Sequence, residues 1–314
     1  EAFNLEITAG VADAKIIYTI DGREPSEGNV FTGAIGTVYA RPIPIKTTTT
    51  IRAKAFKSGF EPTDIDTQTY IFVDDVAKQP ADPDGWPEDW GRDGEVPGRV
   101  VADYEMDARV VNNVLPGYSV RDALLDLPSL SVVMEPNDFL GDLDGIYNHP
   151  NPSNRANFER PCSLELIYPD GKQGFQEDCG IEIHGNSSRR PWRMQKHSLR
   201  VSFKSDYGVS TLRYPFFPDT RVDRYNKIVL RACFTDSWGL VSWGASRYRP
   251  NDSQYIRDVW MKESMRDMGH ESMRSTFMHL YINGLYWGLF NPSEKMEAEA
   301  LVESLGGSTE DYDV

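Results

Sequence analysis

Asp-Gly and Asn-Gly pairs set between short apolar runs punctuate this chain, and they constrain its fold class more than any other feature. Asp21-Gly22 follows KIIYTI, Asp170-Gly171 separates SLELIY from QGFQEDCGIEI, and Asn283-Gly284 separates STFMHLYI from LYWGLF. Such pairs readily take the positive φ angles of tight turns whose twist matches that of paired strands, so the last two predict β-hairpins and the first a turn closing a strand. Strand pairing therefore recurs from one end of the chain to the other.

The middle hairpin carries a further expectation. Counting back from Asp170-Gly171 sets Cys162 opposite Cys179, and the alternating ladder places them in a non-hydrogen-bonded slot where side chains approach most closely. A Cys162–Cys179 disulfide would imply an oxidising compartment, with two buried thiols as the other reading. Cys233, inside IVLRACF, reads as core.

Composition excludes some functions. With 314 residues the chain has length for two domains or more. A net charge of −15 argues against a nucleic-acid partner, which needs a basic stripe. No run approaches the roughly 18 apolar residues of a membrane span. The chain opens at Glu1 without an initiator Met, as a processed or trimmed piece would.

Residues 1–73 read as a small β-sandwich of short strands separated by turn signals at Asp21-Gly22, Pro42 and Ser58-Gly59. In TTTIRAKAF, Ile51, Ala53 and Ala55 fall on one face and Arg52 and Lys54 on the other. YTIDGREPS, Tyr39 with Pro42-Ile43, TTTIRAKAFKSG and the closing TYIF together resemble the chitobiase/β-hexosaminidase C-terminal-type domain, an immunoglobulin-like accessory module. The resemblance implies a spacer or glycan-associated role, and Asp21 is read as a turn former. Residues 74–106, dense in Asp, Glu, Pro and Gly, read as a linker. Trp86 and Trp90 within it predict a strap pinned to a neighbour, with sugar stacking as the other reading. In the extension 107–180, LPSLSVVM reads as a buried strand, and Asn137, Asp138, Asp142 and Asp144 offer oxygen ligands of the kind calcium takes. Their spacing fits no EF-hand, which favours a solvated acidic loop.

Residues 181–314 hold GIEIHGNSSRRPWRMQKHSLRVSFKSDYG from Gly180, then DSQYIRD, then HLYINGLYWGLFNPSEKMEAEALVESLGG. In this order they resemble the CotH kinase family of bacteria and some fungi, an atypical kinase family. The expected fold is an α+β multidomain chain: an Ig-like sandwich, a strap, and a kinase-like nucleotide lobe. That lobe is expected as a five- or six-stranded antiparallel sheet packed on a helix over 255–268. The resemblance implies ATP with Mg or Mn as cofactors, an extracellular or surface location, and a protein substrate. It also implies that the catalytic and metal-holding acids lie in a second lobe beyond Val314, so that this piece alone is inactive. The alternative is a non-catalytic extracellular structural or glycan-associated protein built on a pseudokinase-like core.

The candidate nucleotide contacts follow from the same motifs. Gly185, Asn186, Ser187 and Ser188 form a turn that could cradle an anion through backbone amides, with Arg189 and Arg190 beside it. Lys196 lies in an expected strand, 194–203, opposite in face to Leu199, Val201 and Phe203, and the resemblance makes it the phosphate lysine. Gln195 stands where the family often has a second basic residue. On the helix, expected to be capped by Asp252 or Ser253 and ended by Gly269, Glu263 shares a face with Ile256, Val259 and Trp260. Glu263 could anchor Lys196, whereas Arg257-Asp258 fits the family's helix motif better. Glu294 reads either as a nucleotide contact at the hinge or as the capping acid of a helix opening at Asn291.

Overall fold

A computed structural model describes residues 1–92, 99–112, 116–150, 152, 158–218, 222–240 and 249–314. It is mostly β with few helices. The first six strands are β1 (Phe3–Leu5), β2 (Lys15–Thr19), β3 (Thr37–Val38), β4 (Ile43–Ile45), β5 (Thr49–Phe56) and β6 (Asp66–Tyr70). They form a four-stranded sheet, β3-β2-β5-β6, and a two-stranded one, β1-β4. Ile17, Ile45 and Ile51 are buried among them, as the alternation in TTTIRAKAF predicts for Ile51. Arg52, on the opposite face, is also buried, and its Nη1 donates to Gly22 O at 2.8 Å.

A one-turn helix α1 (Val73–Val76) leads into the strap, which contains the small hairpin β7 (Asp89–Arg92) and β8 (Arg99–Val101). The strap is therefore partly paired rather than fully extended. Its rings dock as expected: Trp90 and Tyr104 are buried, and Trp90 lies 5.5 Å from Tyr147 and 5.6 Å from Trp287. Helices α2 (Ala108–Val111) and α3 (Val120–Asp126) follow, the second opened by a Ser119–Asp122 capping box.

Next come β9 (Ser129–Val133), α4 (Pro136–Leu140), β10 (Arg160–Ile167), β11 (Gln176–His184), β12 (Ser198–Ser202), β13 (Leu212–Arg213), β14 (Arg224–Tyr225) and β15 (Lys227–Arg231). The remaining elements are α5 (Arg257–Asp267), β16 (Met278–Ile282), β17 (Leu285–Glu294) and α6 (Ala298–Leu305). Residues 151 and 153–157 of the extension lie outside the described residues. The order β10-β11-β12-β15-β17-β16-β9 closes into a seven-strand barrel, not the open sheet of five or six strands expected. The closing strand is β9, whose five residues are all buried. It pairs antiparallel with β10 and parallel with β16, so that neither edge is left unpaired. Leu130, Leu164, Ile181, Leu199, Leu230 and Phe290 are among the side chains filling the core.

Asn283-Gly284 makes the predicted two-residue turn, with φ of 47° and 84° and Ile282 opposite Leu285. Three other expectations are corrected. Strand β12 starts at Ser198, leaving Lys196 in the bend before it. Asn291 to Glu294 continue β17 through pairing with β15 instead of opening a helix. The start of α5 is held from outside the helix: Asp236 accepts from the backbone N–H groups of Gln254 (2.9 Å) and Arg257 (3.2 Å), and neither Asp252 nor Ser253 caps it.

The cysteine register is as counted, Cys162 opposite Cys179, but both remain thiols with sulfurs 3.5 Å apart. The ladder phase accounts for this. Leu166 N–H donates to Phe175 O at 2.8 Å in the same register, which puts the cysteines, four positions along, in a hydrogen-bonded slot. There Cα atoms stand about 5.5 Å apart rather than about 4.5 Å, so the side chains approach less closely than expected.

Candidate functional site

A cleft of about 420 Å³ lies against the barrel wall formed by β11, β12, β15 and β17. His184 from the end of β11, Ser198 from the start of β12, Arg231 from β15, and Ser293 and Glu294 from the end of β17 line it, together with Lys295. Val229, Phe234, Met273 and Met296 give it an apolar wall. This size and mixture suit a small-molecule site.

Cationic side chains surround His184, and one of them, Lys295, is itself held by Glu297 at 3.6 Å. Burial, followed by repulsion from Arg200, Lys295, Arg189 and Arg231, pushes the His184 imidazole down to about 4, so it is neutral at pH 7. Arg231 is held by Asp258 at 3.1 Å, and Asp258 in turn receives Lys262 at 2.5 Å. Lys262 is buried and also donates to Ser293 Oγ at 3.0 Å. Glu294 does not add free negative charge, because the equally buried Arg274 bonds it at 3.1 Å and the Arg274 backbone N–H adds a bond at 3.2 Å. Burial nevertheless holds the Glu294 carboxyl above its ordinary range, against the opposing pull of Arg274. Burial raises the Cys233 thiol to about 11, so it is not a nucleophile at neutral pH.

The predicted turn contributes less than expected. Gly185 has φ of +114°, and a Cβ there would collide with Ser188 Oγ. Ser188 is the turn residue that lines the cleft. Asn186 is exposed, and Ser187 Oγ accepts from Arg193 at 2.8 Å. Arg189 is buried and braces the loop, donating to Gly185 O at 2.7 Å, Pro150 O at 2.8 Å and Ile183 O. These three bonds tie its guanidinium to backbone carbonyls of the loop and its neighbours.

Lys196 is likewise elsewhere. Its ammonium donates to Leu289 O at 2.5 Å and sits 4.4 Å from the centre of the Phe290 ring. It lines a second, smaller cleft of about 230 Å³ walled by Trp90, Tyr147 and Trp287. Burial pushes it down to about 8. Of its two expected partners, Glu263 is exposed and Asp258 is engaged with Arg231 and Lys262. The helix is rolled so that Val259 and Lys262 face inward while Ile256 and Trp260 are exposed, because Asp236 fixes its start and Lys262 finds polar partners inside.

In the acidic loop, Asp142 meets Arg99 at 3.2 Å and Asp138 meets Arg160 at 3.6 Å. Arg160 also donates to Asp144 O at 3.0 Å. Among the described residues no three His, Cys, Asp or Glu side chains are grouped to hold a metal ion, and no helix is long and apolar enough to cross a membrane. Sequence reasoning missed Arg231, Lys262, His184 and Arg274. Only the Asp258–Lys262 pair left a signal, the i,i+4 spacing on the helix.

Comparison with protein families matches residues 1–67 to the chitobiase/beta-hexosaminidase C-terminal domain. Residues 181–312 match the CotH kinase protein family. The two matches stand in the order the motifs predict. No curated protein matches the chain.

Proposed function

We propose that residues 181–314 are the nucleotide-binding part of an atypical ATP-dependent protein kinase acting on extracellular or surface proteins. In this reading residues 1–73 are its immunoglobulin-like accessory module and residues 74–106 the connecting strap. The CotH match of residues 181–312 supports the activity class, and the chitobiase-type match supports a place outside the cell. The observation that carries the site is the cleft beneath Ser188 and Glu294, where Arg231, Lys295 and a neutral His184 meet an apolar wall.

These residues fit a nucleotide. Arg231 and Lys295 would face its phosphates, the hydroxyls of Ser188, Ser198 and Ser293 would donate to phosphate or sugar oxygens, and Phe234, Met273 and Met296 would flank the base. They do not fit a divalent metal, since Asp258 and Glu294 are both neutralised by cationic side chains. Phosphoryl transfer then needs acids from a second lobe, and residues 181–314 bind nucleotide without turning it over.

A second reading, a non-catalytic extracellular component with a pseudokinase-like core, draws on one observation: Lys196 bonds a backbone carbonyl and has no carboxylate partner among the described residues. The test is a metal-free titration of this chain with ATP and with adenosine, followed by ligand-observed NMR. ATP binding tighter than adenosine binding supports the proposal. Equal binding of the two, or none, speaks for the second reading.

A further inference from the structure

A groove of about 810 Å³, larger than the nucleotide cleft, opens at the junction of the first module, the strap and the barrel. Its walls are Ile20 and Asp21 from the first module, Asp84 to Pro87 from the strap, and Pro136, Asn137 and Phe139 from α4. We propose that this groove binds a neutral oligosaccharide, with the indole of Trp86 as its stacking platform.

Three properties of the groove support this. First, its walls are fixed in place before any ligand arrives. Gly22 packs so closely on the Asn283 turn that a Cβ would lie 2.6 Å from both Asn283 Nδ2 and Met134 O. Asn283 in turn bonds Met134 through both ends of its amide, at 2.9 and 3.0 Å, and Glu24 N–H donates to Glu135. Trp86 is held by rings on its inner side, Tyr104 at 5.6 Å and Trp287 at 5.9 Å, and is only partly buried. A site ordered in advance loses less freedom on binding.

Second, the chemistry is amphipathic, with no cationic side chain among the described lining residues. Trp86, Pro87, Pro136 and the 60 %-exposed Ile20 offer flat apolar surface, while Asp84 and Asn137 are exposed polar groups at the rim. A pyranose ring has the matching pair of surfaces, C–H groups for an indole face and hydroxyls that donate to a carboxylate or an amide oxygen. Third, the alternatives fit poorly. No lysine or arginine lines the groove among the described residues, which disfavours phosphorylated, sulfated or acidic ligands. Asp21 is already paired with Arg23 at 2.7 Å, which weakens it as a cation ligand. The groove lies where ligand sites favour, between folded units.

The test uses the whole chain and a panel of soluble β-linked and α-linked neutral oligosaccharides, read by calorimetry and ligand-observed NMR. At least one member of the panel is expected to bind. Asp84→Ala and Asn137→Ala, both at exposed positions, should each weaken that binding about tenfold, which corresponds to loss of a hydrogen bond worth about 1.4 kcal/mol, and leave the melting temperature unchanged. Trp86→Ala should abolish it, with the melting temperature recorded because Trp86 also packs inward. The proposal is overturned if no panel member binds, or if the folded Asp84→Ala and Asn137→Ala variants both bind as the parent does.

Discussion

Replacing Arg274 by Met isolates the buried ion pair beneath the cleft. Both partners are almost wholly enclosed, at 3 % and 4 % exposure, and Arg274 Nη1 reaches Glu294 at 3.1 Å and Ser304 Oγ at 3.1 Å. Methionine fills similar space and leaves the Glu294 carboxylate with only the Arg274 backbone N–H and little solvent. Breaking a buried pair this way is destabilising by about 3–5 kcal/mol. For a unit of about 150–250 residues that corresponds to a melting temperature lower by roughly 6–20 °C. The loss should depend on pH. A carboxyl whose folded pKa lies above its unfolded value contributes stability that is full below the unfolded pKa and is lost as pH rises through the folded one. Burial already holds Glu294 on the raised side, and removing Arg274 removes its main opposing influence. Thermal melts at pH 5 and pH 8 should therefore show the variant closer to the parent at pH 5, and Arg274→Met with Glu294→Gln should cost less than the two single changes added together. A loss below about 1 kcal/mol, with no pH dependence, would refute the assignment of a buried, coupled pair.

Three further outcomes are expected. Glu165, which accepts from Thr69 N–H at 2.8 Å where the first module meets the barrel, is raised by burial to about 7. Stability should fall as pH rises from about 4 through about 7, by an upper bound of about 3.5 kcal/mol before allowing for partial exposure, and Glu165→Gln should flatten that slope in pH-resolved melts. Lys196 has the opposite sign: with its folded pKa pushed down to about 8, its folding penalty is present at pH 7 and fades toward pH 10.5, so Lys196→Met should leave the melting temperature at pH 7 unchanged or higher. A clear decrease would count against that assignment. Cys162 and Cys179, as thiols, should become alkylatable on unfolding without reductant, and adding a reductant should not shift the melt.

Much of the local fold was legible in the sequence because turn chemistry is local. Asn283-Gly284 and the Cys162–Cys179 register follow from residues next to one another in the chain or counted from one turn. Barrel closure was not legible, since it depends on β9 pairing with β16 across about 150 positions, and a fully buried apolar run does not declare its partners. The site was legible only in part. Ser188 and Glu294 do reach the cleft, but the strand rule that placed Lys196 fails where the chain bends before β12. Asp258 was picked out, yet its true partners Arg231 and Lys262 depend on the roll of α5, which Asp236 sets from a separate loop.

Arg231 and Lys196 are the two cations that could address the nucleotide. The direct measurement is the ATP affinity of three versions of this chain, parent, Arg231→Ala and Lys196→Met, by ligand-observed NMR with each fold checked by thermal melt. The geometry predicts that Arg231→Ala removes most of the binding and that Lys196→Met retains it, because Arg231 lines the cleft of about 420 Å³ and Lys196 lines the separate aromatic one. Loss of binding in Lys196→Met with retention in Arg231→Ala would contradict this assignment and return the phosphate site to the lysine.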